Sequence, residues 1–396
     1  NEMQIPTPFD LLKGTAYEQY TFSATKLTGG MVNHVWRVSD KDGRTVIVKY
    51  ANSRMSAFPN NEFSTERMEF EVRGLVLLNG KRQLATAITH IPELCKLNDF
   101  GQDLTDTPGV HIPQLVYYNS SVPFMVLEDV GNLKAYDAWY APNQPHPPMD
   151  DLLLVSRRTG EWLARLHEFG FKNYAKMEKY FVNWPVQALM DNVYYMGLYK
   201  RIAEHPEFAN DSDEFIKRIM DFHREVKQPE NAKGKTLVFG DLWTTSILFN
   251  PGSRTVNLID LECFDIDHIY SDIGHLAAHL LPAYYVCNPD YNPSTDPCPE
   301  PVIAFLNAYK ETLKGECPEA YKVLVSSDAV RQSTIFFGIE LAFDVSIGSW
   351  CRCGKGRDVK DEPAMSCACV KDLFHIAKEY IKNTPESIFN ILNSPE

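Results

Sequence analysis

The sequence contains no apolar run close to the roughly 20 residues that a membrane-spanning helix requires. Its start, Asn1-Glu2-Met3-Gln4, carries no basic segment ahead of an apolar signal core, so the expected setting is the cytoplasm. Basic residues are in deficit, with 39 Lys and Arg against 52 Asp and Glu and a formal charge of −13. Nucleic acids and anionic membranes select basic surfaces, so neither is expected as a partner, and a cationic substrate is mildly favoured. Cysteine lacks a framework pattern. There are nine, an odd number, and Cys95, Cys263, Cys287, Cys298 and Cys317 are scattered, which argues for free thiols in a reducing compartment. The other four form two Cys-x-Cys pairs, Cys351 with Cys353 and Cys367 with Cys369. Free thiols, a structural Zn2+ site built on all four, and disulfides are the open readings of those pairs, in that order. No internal repeat is visible, and nothing in the sequence bears on oligomeric state.

What is present is an ordinary globular composition of 396 residues, 44% hydrophobic and 23% charged, long enough for two domains or one large split domain. Residues 236–262 concentrate the chemistry. The apolar run 236–238 delivers Asp241 just past Gly240, where the backbone can turn tightly and leave a carboxylate at a loop tip. Two short β-type runs, 247–249 and 256–259, are joined through Asn250-Pro251-Gly252 and predict a hairpin. An antiparallel hairpin brings Asp260 back beside Ser246, and alternation sets Glu262 on the side of Asp260. Ser246, Asp260 and Glu262 would then offer hard oxygen ligands at one edge, a donor set that suits Mg2+.

Upstream, Gly29-Gly30 forms a turn before a strand in which Val32, His34, Trp36 and Val38 share a face. Residues 45–50 predict the next strand, and Lys49 follows Val46-Ile47-Val48, an unusual place for a cation unless it is paired. The helix predicted over 63–78 supplies the partner. Glu71 precedes Gly74, Leu75 and Leu78 by three, four and seven residues and so points inward with them, whereas Glu69 does not; Glu66 is the second choice. Each charge is costly to bury alone, so a Lys49–Glu71 ion pair is expected. Residues 80–120 are poorly patterned and predict only connecting strands and loops. Residues 124–127 are an apolar strand, 142–148 a proline-rich loop, and Leu152, Val155, Thr159, Trp162, Leu163 and Leu166 follow a helical period. The stretch 180–199 is dense in aromatics, expected mainly as core, with Asp191 and some of the rings as candidates to line a pocket for a ring or an amine. Residues 302–313 and 373–381 predict further helices.

Phe239-Gly240-Asp241-Leu242-Trp243-Thr244-Thr245-Ser246-Ile247-Leu248, followed by Ile259-Asp260-Leu261-Glu262, resembles the catalytic and metal-binding loops of the aminoglycoside phosphotransferase and choline kinase superfamily. Within it the likeness is to methylthioribose kinases and fungal 4-hydroxytryptamine kinases. Gly29-Gly30 with Asn33 and Trp36-Arg37-Val38 resembles that superfamily's nucleotide-covering loop, and Glu128-Asp129-Val130-Gly131 resembles its hinge, where main-chain groups at Glu128 and Val130 would meet adenine. Residues 160–167 resemble the long helix before the catalytic loop, with His167 read as packed rather than catalytic, and Asp272 resembles the acid that supports that loop. The ordered motifs cover roughly residues 25–280.

The resemblance implies an α+β, bilobal protein-kinase-like fold, with a β-rich nucleotide-binding lobe over 1–127 and a larger, mainly helical catalytic and acceptor-binding lobe over 128–396. It implies ATP and Mg2+, with Asp241 as catalytic base, Lys49 on nucleotide phosphates and held by Glu71, and Ser246, Asp260 and Glu262 on the metal. The implied reaction is phosphorylation of a hydroxyl on a small sugar-like molecule, amino alcohol or aromatic amine. Two positions depart from the family pattern: Phe239 stands where His is usual, and Ser246 where Asn is frequent. They support the alternative of a nucleotide-binding pseudokinase or interaction protein without catalysis. Phe239 is expected to alter loop packing rather than remove a chemical group.

Overall fold

The computed structural model describes residues 5–28, 30–56, 62–101, 107–135, 146–204, 212–228, 234–288, 290–293, 295–296, 299–347, 368–382 and 386–394. Ten strands lie among them. They are β1 (Ser23–Lys26), β2 (His34–Ser39), β3 (Thr45–Tyr50), β4 (Val110–His111), β5 (Leu115–Asn119), β6 (Phe124–Glu128), β7 (Lys235–Val238), β8 (Ile247–Asn250), β9 (Thr255–Leu258) and β10 (Asp265–His268). β1, β2, β3, β6 and β5 form, in that order, a five-stranded antiparallel sheet.

The alternation read in the sequence sets the faces of this sheet. His34, Trp36 and Val38 are buried in β2, as expected. Asp40 closes the next turn by accepting hydrogen bonds from the amides of Asp42 and Arg44, both at 2.9 Å. Trp36, Val38, Val46, Val48, Phe124 and Val126 pack with Leu11 and Leu12 of the helix Pro8–Leu12. Lys49 lies out of phase with Val46 and Val48 and is buried with the helix Arg67–Asn79. That helix starts later than the predicted 63–78. The carbonyls of Phe63 and Ser64 instead accept hydrogen bonds from the Arg67 guanidinium at 2.9 and 2.7 Å.

Residues 80–120 correct the expectation of strands and loops alone, because they contain the helices Ala85–Ile88 and Pro92–Gly101. The second buries only Leu94, Leu97 and Gly101, too few positions to write a helical period into the sequence. β4 runs parallel to β9, and β8 and β9 form the predicted hairpin with Ile247 opposite Leu258. β10 pairs antiparallel with β7.

The remainder is helical. Met149–Lys172 buries Leu152, Val155, Thr159, Trp162, Leu163 and Leu166 as the period predicts. It packs along Glu300–Glu316, while Tyr270–Cys287 packs on Ser327–Ile347. Ala368–Ile381 completes this layer. The aromatic stretch forms short helical pieces, Tyr174–Phe181, Trp184–Met190, a π-helical turn Asp191–Gly197 and Leu198–Glu204. Among the described residues no helix is long and apolar enough to cross a membrane. Of the Cys-x-Cys residues, Cys351, Cys353 and Cys367 lie outside the described residues, and Cys369 forms no disulfide among the described ones.

The helices Met149–Lys172 and Glu300–Glu316 meet at Gly160, where an added Cβ would lie 2.4 Å from the Phe305 carbonyl oxygen. Gly160→Val should therefore cost about 1–3 kcal/mol through overpacking, read as a lower urea midpoint at unchanged slope. Wild-type stability in the variant would contradict this packing.

Candidate active site

The first half of the site is a buried ionic cluster where β3, the helix Arg67–Asn79 and the end of the β8–β9 hairpin meet. Lys49 Nζ lies 2.7 Å from Glu71 Oε2, the expected pair, and also donates a hydrogen bond to Asp260 Oδ1. Burial alone would lower the Lys49 pKa, but Asp260, Glu71 and Glu262 outweigh it and hold the amine protonated above its ordinary value. Glu69 is turned outward onto Arg73, and Glu66 is exposed, so neither competes with Glu71.

Asp260 and Glu262 face different surroundings. Asp260 sits in left-handed backbone, φ 68°, and its side chain is 37% exposed. Glu262 is buried: its Oε2 accepts from Asn33 Nδ2 at 2.8 Å and lies 3.2 Å from Arg67 Nε. Arg67, fully buried, donates in turn to Asn33 Oδ1 at 2.9 Å. Both polar ends of Asn33 are thus engaged inside the protein. Burial, with Asp260 adding to it, raises the Glu262 pKa against the opposing pull of Lys49 and Arg67. Even so, carboxylate oxygens of Glu71, Asp260 and Glu262 lie within 4.8 Å of one another. Arg67 carries no distinctive sequence signal beyond a cation beside buried helix positions.

Ser246 and Asp260 come together as the hairpin predicts, with the Ile259 amide donating to the Ser246 carbonyl at 3.0 Å. The Ser246 hydroxyl is buried and donates to the Asp241 carbonyl at 3.4 Å. Gly29 lies outside the described residues; at Gly30 an added Cβ would meet nothing within 4 Å. At the expected hinge, the Glu128 amide donates to the Gln114 carbonyl at 3.0 Å and its carboxylate meets His111 Nε2 at 3.0 Å. Val130 follows in coil, next to Asp129, whose carboxylate is gripped by Arg37 of β2 through Nε and Nη2 at 2.6 and 3.0 Å.

The second half is the loop that carries Asp241. Asp272, fully buried near the start of the helix Tyr270–Cys287, accepts from the amides of Phe239 and Gly240, both at 2.8 Å. Its Oδ2 also lies 3.0 Å from His167 Nε2, and His167 Nδ1 lies 2.9 Å from the Tyr309 hydroxyl. A ring that donates from Nε2 and accepts at Nδ1 satisfies both contacts. Gly240 has φ +83°, and an added Cβ would lie 2.1 Å from the Cys263 carbonyl oxygen, so the loop requires glycine there. The Phe239 ring packs edge-on to Trp162 and Phe264, which agrees with a packing role while its amide still reaches Asp272.

Asp241 is 30% exposed, and its Oδ1 lies 3.3 Å from Nε2 of the buried His275. His275 Nδ1 lies 3.5 Å from Glu340 Oε2, and Glu340 Oε1 lies 3.0 Å from His279 Nε2. Burial would lower the His275 pKa, yet Glu340 and Asp241 raise it to about 10; burial would raise Glu340, yet His275 and His279 hold it down to about 2. The sequence reading assigned no role to these residues. The available signal was His275 and His279 four apart in the apolar helix, and an acid in the apolar run 335–342.

A cleft opens beside Gly240, lined among others by Asp191, Tyr194, Tyr195, Asp267, Tyr270 and Phe336. Asp191 there is paired with His223 and Lys227, at 3.1 and 3.0 Å.

Asp272 is the acceptor for three buried donors. Asp272→Ala would leave them unsatisfied and should destabilise the protein by about 3–5 kcal/mol, with increased hydrogen exchange at Phe239 and Gly240. Unchanged protection at those two amides would contradict the described restraint.

Comparison with known proteins places this geometry. The family model described as the phosphotransferase enzyme family, APH, matches residues 23–310. No curated protein sequence is similar enough to count as a match. Among solved structures, amicoumacin kinase hAmiN in complex with AMP-PNP, Ca2+ and Ami is 14% identical, covering 93% of this chain and 91% of that chain at a TM-score of 0.50. A Plasmodium vivax ethanolamine kinase is 12% identical, covering 94% and 87% at a TM-score of 0.48. Aminoglycoside phosphotransferase APH(2'')-Ib, ADP-bound, is 15% identical, covering 91% and 94% at a TM-score of 0.42. The first of these likenesses is one of fold, the bilobal protein-kinase-like architecture. Because the matched region runs from β1 into the helix Glu300–Glu316 and takes in both the Lys49 cluster and the Asp241 loop, the chain belongs to the phosphotransferase enzyme family and is a phosphotransferase acting on hydroxyl acceptors.

Proposed function

We propose that this enzyme transfers the γ-phosphate of ATP, with Mg2+, to a hydroxyl of a small amine-bearing molecule, in the manner of the methylthioribose kinase and 4-hydroxytryptamine kinase branch. The observation that carries the reading is the pairing of a buried lysine, Lys49, with Glu71 and Asp260, together with a partly exposed Asp241 on a loop held by Asp272. In this reading the small lobe ends near Leu127, and the main chain at Glu128 and Val130 meets the adenine. Family membership and retention of Lys49, Glu71, Asp241 and Asp260 favour catalysis over the pseudokinase alternative that Phe239 and Ser246 suggested.

Phosphoryl transfer depends mainly on positioning and charge stabilisation. Asp241 Oδ1 is directed to His275, which leaves Oδ2 to receive the acceptor's hydroxyl proton. The acceptor oxygen forms the new bond to the γ-phosphorus as the bond to the bridging oxygen breaks, and ADP leaves. Lys49 supplies a fixed positive charge to the phosphates, and Glu71 fixes its position. In this reading Gly29 and Gly30 cover the phosphates, and Asn33 after them is anchored through Glu262 and Arg67.

The donor set fits Mg2+, because the converging groups are all oxygens and Asp260 presents a partly exposed carboxylate. Asp260 and Ser246 would hold the ion, with Glu262 beside them. When bound, Mg2+ neutralises phosphate oxygens. The acceptor class is supported by the acidic and aromatic lining of the cleft beside Gly240, above all Asp267 with Tyr194, Tyr195 and Tyr270, which suits an ammonium group and a ring.

Asp241→Asn should keep the fold and ATP binding and lower turnover by about 10^2- to 10^4-fold. Asp260→Asn should weaken Mg-nucleotide binding as well as turnover. Near wild-type turnover of Asp241→Asn on a working acceptor would sink the mechanism. For the acceptor, Asp267→Asn should raise KM for a hydroxylated amine by about tenfold while KM for ATP stays constant, in line with the loss of one charge-assisted contact. An unchanged acceptor KM would exclude Asp267 from the acceptor site.

A further inference from the structure

Behind Asp241, two helices bring together a second set of metal-binding groups distinct in chemistry from the Asp260 centre. We propose that His275, His279 and Glu340 form a site for a borderline divalent cation of the Zn2+ class. His275 and His279 are four residues apart on the helix Tyr270–Cys287 and therefore share a face; Glu340 reaches them from the helix Ser327–Ile347. All three side chains are more than nine-tenths buried, and ligand atoms of the three lie within 4.8 Å of one another.

The separations between the groups match an ion of this size. Two donors each about 2.1 Å from a tetrahedral ion are about 3.4 Å apart. His275 Nδ1 is 3.5 Å from Glu340 Oε2, and His279 Nε2 is 3.0 Å from Glu340 Oε1. Glu340 Oε2, on the ligand side of the cluster, is buried and makes no hydrogen bond among the described residues. Buried polar atoms left in this way are rare, and an ion would satisfy this one.

The outer contacts strengthen the assignment. A histidine that binds a metal through one ring nitrogen usually turns the other toward a carboxylate. Here the outer nitrogen of each ring faces one: His275 Nε2 lies 3.3 Å from Asp241 Oδ1, and His279 Nδ1 lies 3.7 Å from Asp344 Oδ2. Two imidazoles and one carboxylate leave a fourth position, and the Tyr194 hydroxyl stands 3.4 Å from His275 Nδ1 on that side of the cluster. Imidazole with carboxylate selects Zn2+, Co2+ and related ions over Mg2+, which prefers oxygen alone. An ion here would tie two core helices together and fix the ring beside Asp241.

The full chain, stripped with a chelator and returned to excess Mg2+, can be titrated with Co2+ and with Zn2+. One Co2+ per chain should bind, with visible absorption of a nitrogen- and oxygen-ligated ion and no thiolate charge-transfer band, and Zn2+ should displace it and raise Tm. His279→Gln and Glu340→Gln should each abolish stoichiometric binding, Asp344→Asn should weaken it about 10- to 100-fold, and Asp260→Asn should leave it intact. If a ligand variant does not fold, the wild-type Co2+ spectrum and the remaining variant decide. Absence of stoichiometric binding to the wild type, an ion retained in His279→Gln or Glu340→Gln, or a thiolate band placing the ion on cysteines would overturn the proposal.

Discussion

The buried carboxylate of Asp272 is the constraint on which the rest of the site depends. It accepts two consecutive backbone amides, Phe239 and Gly240, and the ring of His167, and so ties three parts of the chain to one point. His167 also accepts, through its carbonyl oxygen, the Thr236 hydroxyl at 2.6 Å, which fastens β7 to the long helix before the loop begins. Asp241 therefore departs from a backbone already fixed on both sides. An isolated buried carboxylate is costly; one that receives three donors becomes a strong local restraint. The side chain of Phe239 can then join the aromatic core without disturbing the loop, because the restraint uses its amide alone.

Charge is arranged around the cleft in two buried groups with opposite logic. In the first, Lys49 and Arg67 are each surrounded by carboxylates, and the most exposed acid of the group, Asp260, is the one turned to the opening. In the second, acids flank histidines, with His275 between Asp241 and Glu340. Arg67 is fully buried and held by Glu262 and Asn33, so the two groups differ in what their cations do: Lys49 and Arg67 offset the carboxylates of the first, and the histidines of the second offset Asp241 and Glu340.

Much of this was legible in the sequence where a local pattern reported the environment directly. Lys49 behind three β-branched residues, Glu71 on the apolar side of its helix and the Asn250-Pro251-Gly252 turn each carried their own physical reason, and the Lys49–Glu71 pair and the β8–β9 hairpin follow from them. The helix Pro92–Gly101 was hidden because it buries only three positions. Glu262 was expected beside Asp260 and Asn33 in the nucleotide-covering loop, but the pattern of one strand cannot reveal that the two would meet, or that Arg67, from another element, would bind both. The His275, His279 and Glu340 cluster joins two helices, with His279 and Glu340 61 positions apart, and no local period records such a meeting.

The central claim is that Asp241 and the Lys49 cluster act together to move a phosphoryl group from ATP to an acceptor hydroxyl. Its most direct measurement is the identity of the product: incubation with ATP, Mg2+ and a panel of hydroxylated amines and sugars, followed by mass and 31P NMR analysis of the acceptor. The account predicts a monophosphate ester on a hydroxyl, formed in equal amount to ADP, with an amine-bearing acceptor turned over best. ADP accumulating with inorganic phosphate whatever the acceptor, or phosphate appearing on nitrogen instead of oxygen, would contradict it.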